Sequence, residues 1–249
     1  MHRDQIVINT LVFQNDLETG KRQHELFSGL QKLGVKNVEV RREYVSDPDE
    51  FRLIRKAADE HGFELFYSVP DILFENGAFK RDSFQMYIEE AVSMQARMIK
   101  FTIGDFDVWK SEDVASFHEI TKNFAGVVTV ENDQTRANGK MKALVKFLEA
   151  CKTQAILIYA TFDVGNGYWV GENPLLTVSE IQSFTRFVHL KDVVMADSVP
   201  KVALLGEGEV PWQDVLEAFK PDVFAAIEYP CGENPFDRLK EEMAKLMAV

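Results

Sequence analysis

The sequence contains little cysteine and no long apolar segment. The two cysteines, Cys151 and Cys231, form no Cys-x-x-Cys pair, which argues against a disulfide framework and is consistent with reduced thiols. No apolar run approaches the roughly 18 residues that a membrane-spanning helix needs. The first residues also lack the charged, apolar and small-residue order of a signal peptide. From these absences we expect a cytoplasmic protein.

Positive charge is also scarce. The chain has 28 lysines and arginines against 40 aspartates and glutamates, which gives a formal net charge of −12. An acidic chain repels a phosphate backbone and an anionic membrane surface. We therefore expect neither nucleic acid nor a membrane as the partner. Hydrophobic residues make up 46% of the chain and charged residues 27%, a balance typical of a folded globular protein.

Short apolar runs rich in β-forming residues alternate with segments whose apolar residues recur at three- and four-residue spacing, which predicts strands followed by helices. The helical segments include Ser83–Met94 and Lys140–Ala150. The predicted strands are Ile6–Leu11, Asn37–Arg41, Glu64–Val69, Met98–Ile103, Val127–Glu131, Ala155–Asp163, Phe187–Leu190 and Val223–Glu228. Eight evenly spaced units without a long linker predict an α/β fold, a single-domain (β/α)8 TIM barrel over residues 1–249. A long open sheet is the alternative.

Ionisable residues stand at the ends of four successive predicted strands, the fifth to the eighth. They are Glu131, Asp163, His189 and Glu228. The carboxyl ends of barrel strands meet at one face, where three carboxylates and an imidazole would repel each other and be costly to desolvate. A divalent cation removes both problems, and an oxygen-rich set with one histidine suits Mn²⁺ or Mg²⁺ first and Co²⁺ or Zn²⁺ second. Each residue alone is more often a cap, an ion-pair partner or a core histidine, but the repetition favours a metal site.

Other charged residues fall on the predicted strands or just beyond them. Glu39 and Arg41 are two positions apart and so share a face, Lys100 interrupts an apolar strand, and Lys191 lies two positions after His189. One interpretation is substrate recognition, with cations for an anionic group or an enediolate oxygen and carboxylates for sugar hydroxyls. The other is a structural ion pair inside the barrel mouth. An unpaired buried lysine is expensive, which favours the first interpretation for Lys100.

In their order and separation, six motifs resemble the xylose-isomerase-like sugar phosphate isomerases and epimerases, over a span from Val38 to Pro230. The motifs are Val38-Glu39-Val40-Arg41, Val130-Glu131-Asn132, Thr161-Phe162-Asp163-Val164-Gly165-Asn166, Val188-His189-Leu190-Lys191-Asp192, Gly206-Glu207-Gly208-Glu209-Val210-Pro211-Trp212 and Ile227-Glu228-Tyr229-Pro230. The resemblance implies a divalent metal on Glu131, Asp163, His189 and Glu228. It also implies that the two glutamates move protons, one on each face of the substrate.

A narrower resemblance rests on the segment from Glu131 to Thr135, together with Asn166 and Trp169. This combination is similar to proteins described as 2-ketogluconate utilisation epimerases, and it implies that Asn166 and Trp169 contact the substrate. Trp169 and its neighbour Tyr168 would cover a sugar or pack against a second subunit, so a homo-oligomer stays open. Asn166 stands where family epimerases often have histidine, and no arginine follows His189 at the usual place.

The resemblance implies an isomerase or epimerase of a keto sugar, keto sugar acid or sugar phosphate. It would abstract a proton next to a carbonyl through a metal-stabilised enediolate. A dehydratase of a keto-cyclitol or keto sugar acid is the alternative, since it needs the same first step. A metal-dependent apurinic endonuclease is disfavoured by the charge of −12. A non-catalytic sugar-binding protein would not need two opposed glutamates.

Overall fold

A computed structural model of the chain describes residues 1–219 and 223–249. The strands of the described residues are β1 (Ile6–Asn9), β2 (Asn37–Arg41), β3 (Glu64–Glu75), β4 (Ala78–Phe79), β5 (Met98–Gly104), β6 (Val127–Glu131), β7 (Ile158–Asp163), β8 (Thr185–Leu190), β9 (Asp192–Ala196), β10 (Val199–Ala203) and β11 (Phe224–Ile227). Their α-helices are α1 (Gln14–Glu18), α2 (Phe27–Lys32), α3 (Asp49–His61), α4 (Arg81–Ser93), α5 (Ser111–Thr121), α6 (Met141–Thr153), α7 (Pro174–Ile181), α8 (Trp212–Phe219) and α9 (Pro235–Met247).

Eight of the strands form a closed parallel barrel. The order around the barrel is β1, β2, β3, β5, β6, β7, β8 and β11, and β11 pairs with β1 to close it. Helices follow the barrel strands, so the predicted (β/α)8 barrel is confirmed and the open sheet is excluded. None of the helices in the described ranges is long and apolar enough to cross a membrane.

Several strand bounds differ from the prediction for local reasons. β1 ends at Asn9 because its side chain accepts a hydrogen bond from the Leu11 amide and caps a 3₁₀ turn over Thr10–Phe13. β7 begins at Ile158 because Ala155 has a positive φ of 55°, outside the extended region. The antiparallel hairpin of β9 and β10 was not predicted. The residues of β10 are all exposed or partly exposed, so its sequence lacks the apolar run from which the other strands were predicted.

Apolar side chains form two separate clusters. The larger one lies between the strands and the surrounding helices. The smaller one lies inside the barrel and consists of Val7, Phe66, Met98, Phe187 and Ala226. Because successive strand residues point to opposite faces, residues two positions further along these strands also point into the barrel, nearer its carboxyl end. That alternation brings Asn9, Ser68, Lys100, His189 and Glu228 to the interior.

Candidate active site

The four predicted metal ligands meet at the carboxyl end of the barrel. Glu131 ends β6, Asp163 ends β7, His189 lies near the end of β8 and Glu228 directly follows β11. One ligand atom of each lies within 4.8 Å of those of the other three, and all four residues are buried. The sequence thus placed these side chains correctly, and the fold brings them together because their strands are consecutive in the barrel.

The His189 ring lies at the centre of the cluster. Its Nδ1 is 2.7 Å from Glu131 Oε1 and 3.3 Å from Glu228 Oε1. On the other side of the ring, Nε2 is 3.0 Å from Glu39 Oε2. One ring nitrogen therefore faces the two glutamates and the other faces Glu39. The two glutamates approach from β6 and from the end of β11, which are separated around the barrel by β7 and β8.

Three cations lie among the carboxylates. Lys100 Nζ donates to Glu131 Oε2 at 2.8 Å, and Arg41 donates to Glu228 Oε1 at 2.8 Å. Lys191 Nζ lies 2.7 Å from Asp163 Oδ2 and 2.9 Å from Glu228 Oε2. Each cation compensates a carboxylate that burial would otherwise disfavour. Both interpretations of these cations, substrate recognition and ion pairing, are compatible with this placement, since each lies beside a predicted ligand.

Gly165 makes room for Lys191. A Cβ at Gly165 would collide with the Cγ atom of the Lys191 side chain. The glycine directly after Val164 therefore lets the aliphatic part of the lysine pass along the loop, so that its ammonium group reaches Asp163. Gly165 belongs to the Thr161–Asn166 motif, but only the three-dimensional structure shows that a larger residue there would collide with Lys191.

Backbone amides hold Asp163 in place. Its Oδ1 accepts hydrogen bonds from the amides of Gly165 and Asn166, at 2.8 and 2.9 Å. Asn132 exchanges two further bonds with the Asp163 backbone, one donated by its Nδ2 and one accepted by its Oδ1. Asp163 Oδ2 is buried and accepts no well-formed hydrogen bond among the described residues, although Lys191 Nζ lies close to it. That oxygen therefore pairs with the Lys191 ammonium.

Asn166 is oriented by residues of the neighbouring loop. Its Nδ2 donates to the Asn132 backbone oxygen at 2.8 Å, while its Oδ1 accepts from Gln134 at 3.0 Å and lies 3.4 Å from Lys191 Nζ. Asn132 and Gln134 were not predicted as site residues, although both belong to the quoted segment after Glu131. Their polar side chains directly beyond a buried strand were the available signal.

The aromatic pair after β7 lies at the edge of the site. Trp169 is partly buried and packs against the outer apolar cluster. Tyr168 donates its hydroxyl to the Glu209 backbone oxygen at 2.8 Å. Tyr168 thus ties this loop to the segment between β10 and α8. The predicted contact of Trp169 with a substrate stays a prediction.

The Gly206–Val210 segment is fixed by Asp192. The Asp192 carboxylate accepts hydrogen bonds from the amides of Gly206, Gly208 and Val210 at 2.8 to 3.0 Å. A Cβ at Gly208 would collide with Asp192. The glycine-rich motif therefore forms a loop wrapped around a buried carboxylate, and the acceptor is a side chain of the protein itself.

The two glutamates are held ionised. Burial opposes ionisation of Glu131, but the Lys100 ammonium and His189 together outweigh it and lower the pKa of Glu131 to about 2. Burial acts in the same way on Glu228, while Lys191 and His189 hold its pKa well below its ordinary value. Both carboxylates are therefore proton acceptors at neutral pH.

The other two ligands carry protons more readily. Burial raises the pKa of Asp163 to about 7, and Lys191 offsets only part of that effect. Burial disfavours the His189 imidazolium, yet the carboxylates of Glu39, Glu228 and Glu131 hold the pKa of His189 well above its ordinary value. Without a metal, protonated His189 therefore supplies positive charge at the centre of the cluster.

The donor set fits a divalent cation. Three carboxylates and one imidazole, all buried and within 4.8 Å, match the oxygen-rich coordination of Mn²⁺ or Mg²⁺ and lack the thiolates of a structural zinc site. The four residues could therefore hold a divalent metal ion.

No protein-family model and no curated protein matches the sequence. The similar proteins are therefore solved structures with a similar fold. The probable 3-DHS dehydratase AsbF, involved in petrobactin synthesis in Bacillus anthracis, is 16% identical, with 97% of this chain and 98% of that chain covered and a TM-score of 0.70. A D-psicose 3-epimerase solved in the presence of D-fructose is 13% identical, with 98% and 96% covered and a TM-score of 0.66.

A xylose isomerase domain protein from Alicyclobacillus acidocaldarius is 14% identical, with 98% of this chain and 96% of that chain covered and a TM-score of 0.67. At such identities the likeness establishes the fold and leaves the reaction open. Over nearly its whole length, the chain is similar in structure to xylose-isomerase-like TIM barrels, among them a sugar epimerase and a dehydratase.

Proposed function

We propose that this chain is a divalent-metal-dependent isomerase or epimerase of a small carbohydrate that acts by proton abstraction next to a carbonyl. The observation that carries the proposal is the placement of Glu131 and Glu228 next to the same His189 ring nitrogen, Nδ1, within one buried cluster that also contains Asp163. The structural likeness to a D-psicose 3-epimerase supports the carbohydrate class.

Glu131, Asp163, His189 and Glu228 would hold the metal. A bound divalent cation supplies Lewis-acid polarisation of the substrate's carbonyl and hydroxyl oxygens, which makes the neighbouring C–H more acidic. Mn²⁺ or Mg²⁺ is the first choice because the donor set is rich in oxygen. Co²⁺ and Zn²⁺ are the second choice.

Glu131 and Glu228 are the proposed proton carriers. Both are ionised at neutral pH, so one can accept the proton that leaves the substrate carbon. The other takes a proton from solvent and returns it to the carbon on the opposite face, and the first then releases its proton to solvent. Return on the opposite face inverts the carbon and gives an epimer. Return to the adjacent carbon gives an aldose–ketose isomerisation.

The lysines stabilise the charge that develops when the proton leaves. Lys100 and Lys191 are both buried and within hydrogen-bond distance of a ligand carboxylate. Positive charge fixed in a water-poor site stabilises a developing anion more strongly than water does. Arg41, Asn166 and Trp169 complete the proposed substrate-binding set.

Dehydration is the second candidate, since the likeness extends to a probable dehydratase with a TM-score of 0.70. Proton abstraction is common to both reactions, and they differ in whether the β-hydroxyl leaves afterwards. Arg41 and Lys191, which flank Glu228 on two sides, would favour departure of an oxygen by hydrogen bonding. Product analysis separates the two.

The test combines metal analysis with solvent deuterium exchange into a panel of keto sugars, keto sugar acids and sugar phosphates. We expect the purified protein to bind Mn²⁺ and to introduce deuterium at the carbon next to the carbonyl, with an epimer, an isomer or a dehydrated product identified by mass spectrometry and chromatography. Glu131→Gln and Glu228→Gln should each lower the exchange rate by about 10²–10⁴-fold.

The control variant is Glu180→Gln, which removes an exposed carboxylate on α7 and should leave both exchange and metal content unchanged. Intact turnover and intact metal content in both site variants would show that the site assignment is wrong. A wild-type protein that binds metal but exchanges no deuterium with any member of the panel would count against proton abstraction.

A further inference from the structure

The Glu39 carboxylate lies next to Nε2 of His189, whereas Glu131 and Glu228 lie next to Nδ1 of the same ring. Glu39 is completely buried, with an exposed fraction of 0%. Its Oε1 lies 3.2 Å and its Oε2 lies 3.0 Å from His189 Nε2. A side chain enclosed in this way, with both oxygens directed at another protein residue, does not present its carboxylate to a substrate.

Asn9 holds the Glu39 carboxylate from the neighbouring strand. The two residues are register partners on β1 and β2, and Asn9 Nδ2 donates to Glu39 Oε2 at 2.6 Å. The orientation of the Asn9 amide is itself fixed, because its Oδ1 accepts from the Leu11 amide at 2.9 Å. A series of hydrogen bonds therefore connects the Leu11 backbone through Asn9 and Glu39 to the His189 ring.

We propose that Glu39 is a positioning residue for the metal site. It keeps a proton on His189 Nε2 and thereby leaves the lone pair of Nδ1 directed at the space shared with Glu131 and Glu228. This inference rests on the proposed function, since Nδ1 would be the ligand atom of His189. A carboxylate that accepts the other ring N–H fixes the tautomer and the ring orientation of a ligating histidine and raises its basicity.

The hydrogen-bond pattern explains why a carboxylate is needed at this position. Glu39 must accept from His189 on one side and from Asn9 on the other, and an ionised carboxylate is an acceptor at both oxygens. A glutamine would accept from the ring but would turn its NH₂ group towards Asn9 Nδ2, so two donors would face each other. Rotating the Asn9 amide would relieve that conflict only by breaking its bond from Leu11.

A second substitution, Asn9→Asp, should restore the hydrogen-bond pattern that Glu39→Gln disrupts. In Asn9→Asp combined with Glu39→Gln, the glutamine oxygen accepts from His189 while its NH₂ group donates to the new aspartate. The aspartate retains an oxygen for the Leu11 amide. The pattern of donors and acceptors is restored, while the negative charge moves from residue 39 to residue 9. The double variant therefore separates the positioning of the ring from the charge of Glu39.

The experiment measures Mn²⁺ affinity by titration calorimetry in the wild-type chain, in Glu39→Gln and in the double variant. We expect Glu39→Gln to bind Mn²⁺ about 10–100-fold more weakly and the double variant to recover at least about half of that loss on a logarithmic scale. Glu50→Gln is the matched control, because Glu50 is also a buried carboxylate but pairs with Gln23 and His24 instead. Its Mn²⁺ affinity should stay at the wild-type level.

A second readout follows the ring directly. In Mg²⁺-loaded, ¹⁵N-histidine-labelled protein, the ring nitrogens of His189 should show a proton on Nε2 and none on Nδ1. Glu39→Gln should weaken or lose the Nε2 proton signal, and the double variant should restore it. Thermal unfolding of each variant identifies any change that comes from a general loss of structure.

The outcomes separate the two proposals. Wild-type protein that binds no Mn²⁺ would contradict the proposed function, and the ring spectra of the metal-free proteins would then decide whether Glu39 orients His189. Wild-type binding together with unchanged affinity and unchanged ring signals in Glu39→Gln would contradict the role of Glu39 alone. A double variant no better than Glu39→Gln would show that the charge at residue 39, and not the hydrogen-bond pattern, is what matters.

Discussion

Two layers of side chains inside the same barrel differ sharply in chemistry. The lower layer is the apolar cluster of Val7, Phe66, Met98, Phe187 and Ala226. The upper layer is the charged set at the carboxyl ends of the strands: Lys100, Glu131, Asp163, His189, Lys191 and Glu228. On three strands the layers are only two residues apart, with Met98 below Lys100, Phe187 below His189 and Ala226 below Glu228. The same strands thus carry both layers, and only the identity of the side chains makes one layer apolar and the other charged.

The two layers are expected to act in opposite ways on stability. Burying apolar surface contributes about 25 cal/mol per Å², and the rings of Phe66 and Phe187 lie 5.1 Å apart inside the barrel. Buried ion pairs, by contrast, often contribute no more than apolar residues of the same volume would. We therefore expect the lower layer to stabilise the interior more than the upper layer does.

Removing an aromatic ring from the lower layer tests this contrast with the largest expected effect. Phe187→Ala should lower the free energy of unfolding by about 3–5 kcal/mol, because the lost ring leaves a cavity among residues that pack closely. Chemical denaturation followed by circular dichroism measures the change. Leu176→Ala, at a side chain that is 77% exposed, is the control and should change stability by less than about 0.5 kcal/mol. Equal effects at the two positions would contradict a stabilising lower layer.

Removing a cation from the upper layer should have a smaller effect that depends on metal. Lys100→Met leaves the buried Glu131 carboxylate without its closest ammonium, and we expect a loss of about 3 kcal/mol in the metal-free protein. Saturating Mn²⁺ should reduce that loss, since the cation replaces the missing positive charge. Unfolding measured with and without Mn²⁺ checks this.

The matched control is Lys122→Met, which removes an exposed pair with Glu119. An exposed pair contributes about 0–1 kcal/mol, and Mn²⁺ should not alter the effect of its removal. If Mn²⁺ made no difference to Lys100→Met either, Lys100 and the proposed metal would not share a carboxylate.

Much of the fold could be predicted from the sequence because strands and helices alternate with distinct periodicities. All eight predicted barrel strands are present, and Glu131, Asp163, His189 and Glu228 converge as expected because the carboxyl ends of parallel strands share one face. The strand ends were less predictable. Asn9 ends β1 through its own side-chain cap, which a run of apolar neighbours conceals.

The connections within the site were harder to foresee, since they depend on register between strands far apart in sequence. Glu39 and His189 are 150 residues apart in the chain, and only the closed barrel shows that their side chains meet. Likewise, Lys191 was expected near the ligands, but its position between Asp163 and Glu228 depends on the space that Gly165 leaves open. Sequence patterns identify which residues face the interior, whereas their pairing follows from three-dimensional packing.

Proton release on metal binding gives the smallest and most specific test of the upper layer. A metal binds the deprotonated forms of its ligands, and in the metal-free protein the pKa of His189 is held well above its ordinary value while that of Asp163 is raised to about 7. At pH 8 Asp163 is largely ionised, whereas at pH 6 it is largely protonated. Binding of Mn²⁺ should therefore release up to about one more proton at pH 6 than at pH 8.

The sign of the pH dependence of Mn²⁺ affinity follows from the raised pKa of Asp163. Below pH 7 Asp163 must lose a proton before binding, so Mn²⁺ affinity should fall more steeply with falling pH there than near pH 8. The additional fall is up to about tenfold per pH unit, or about 1.4 kcal/mol. Calorimetry in buffers of different ionisation enthalpy measures the number of protons released. Leu176→Ala, at an exposed side chain on α7, should leave the number unchanged. Release that is the same at pH 6 and pH 8 would mean that Asp163 does not change its protonation on binding, and the upper layer would then contain fewer metal ligands than the four its geometry brings together.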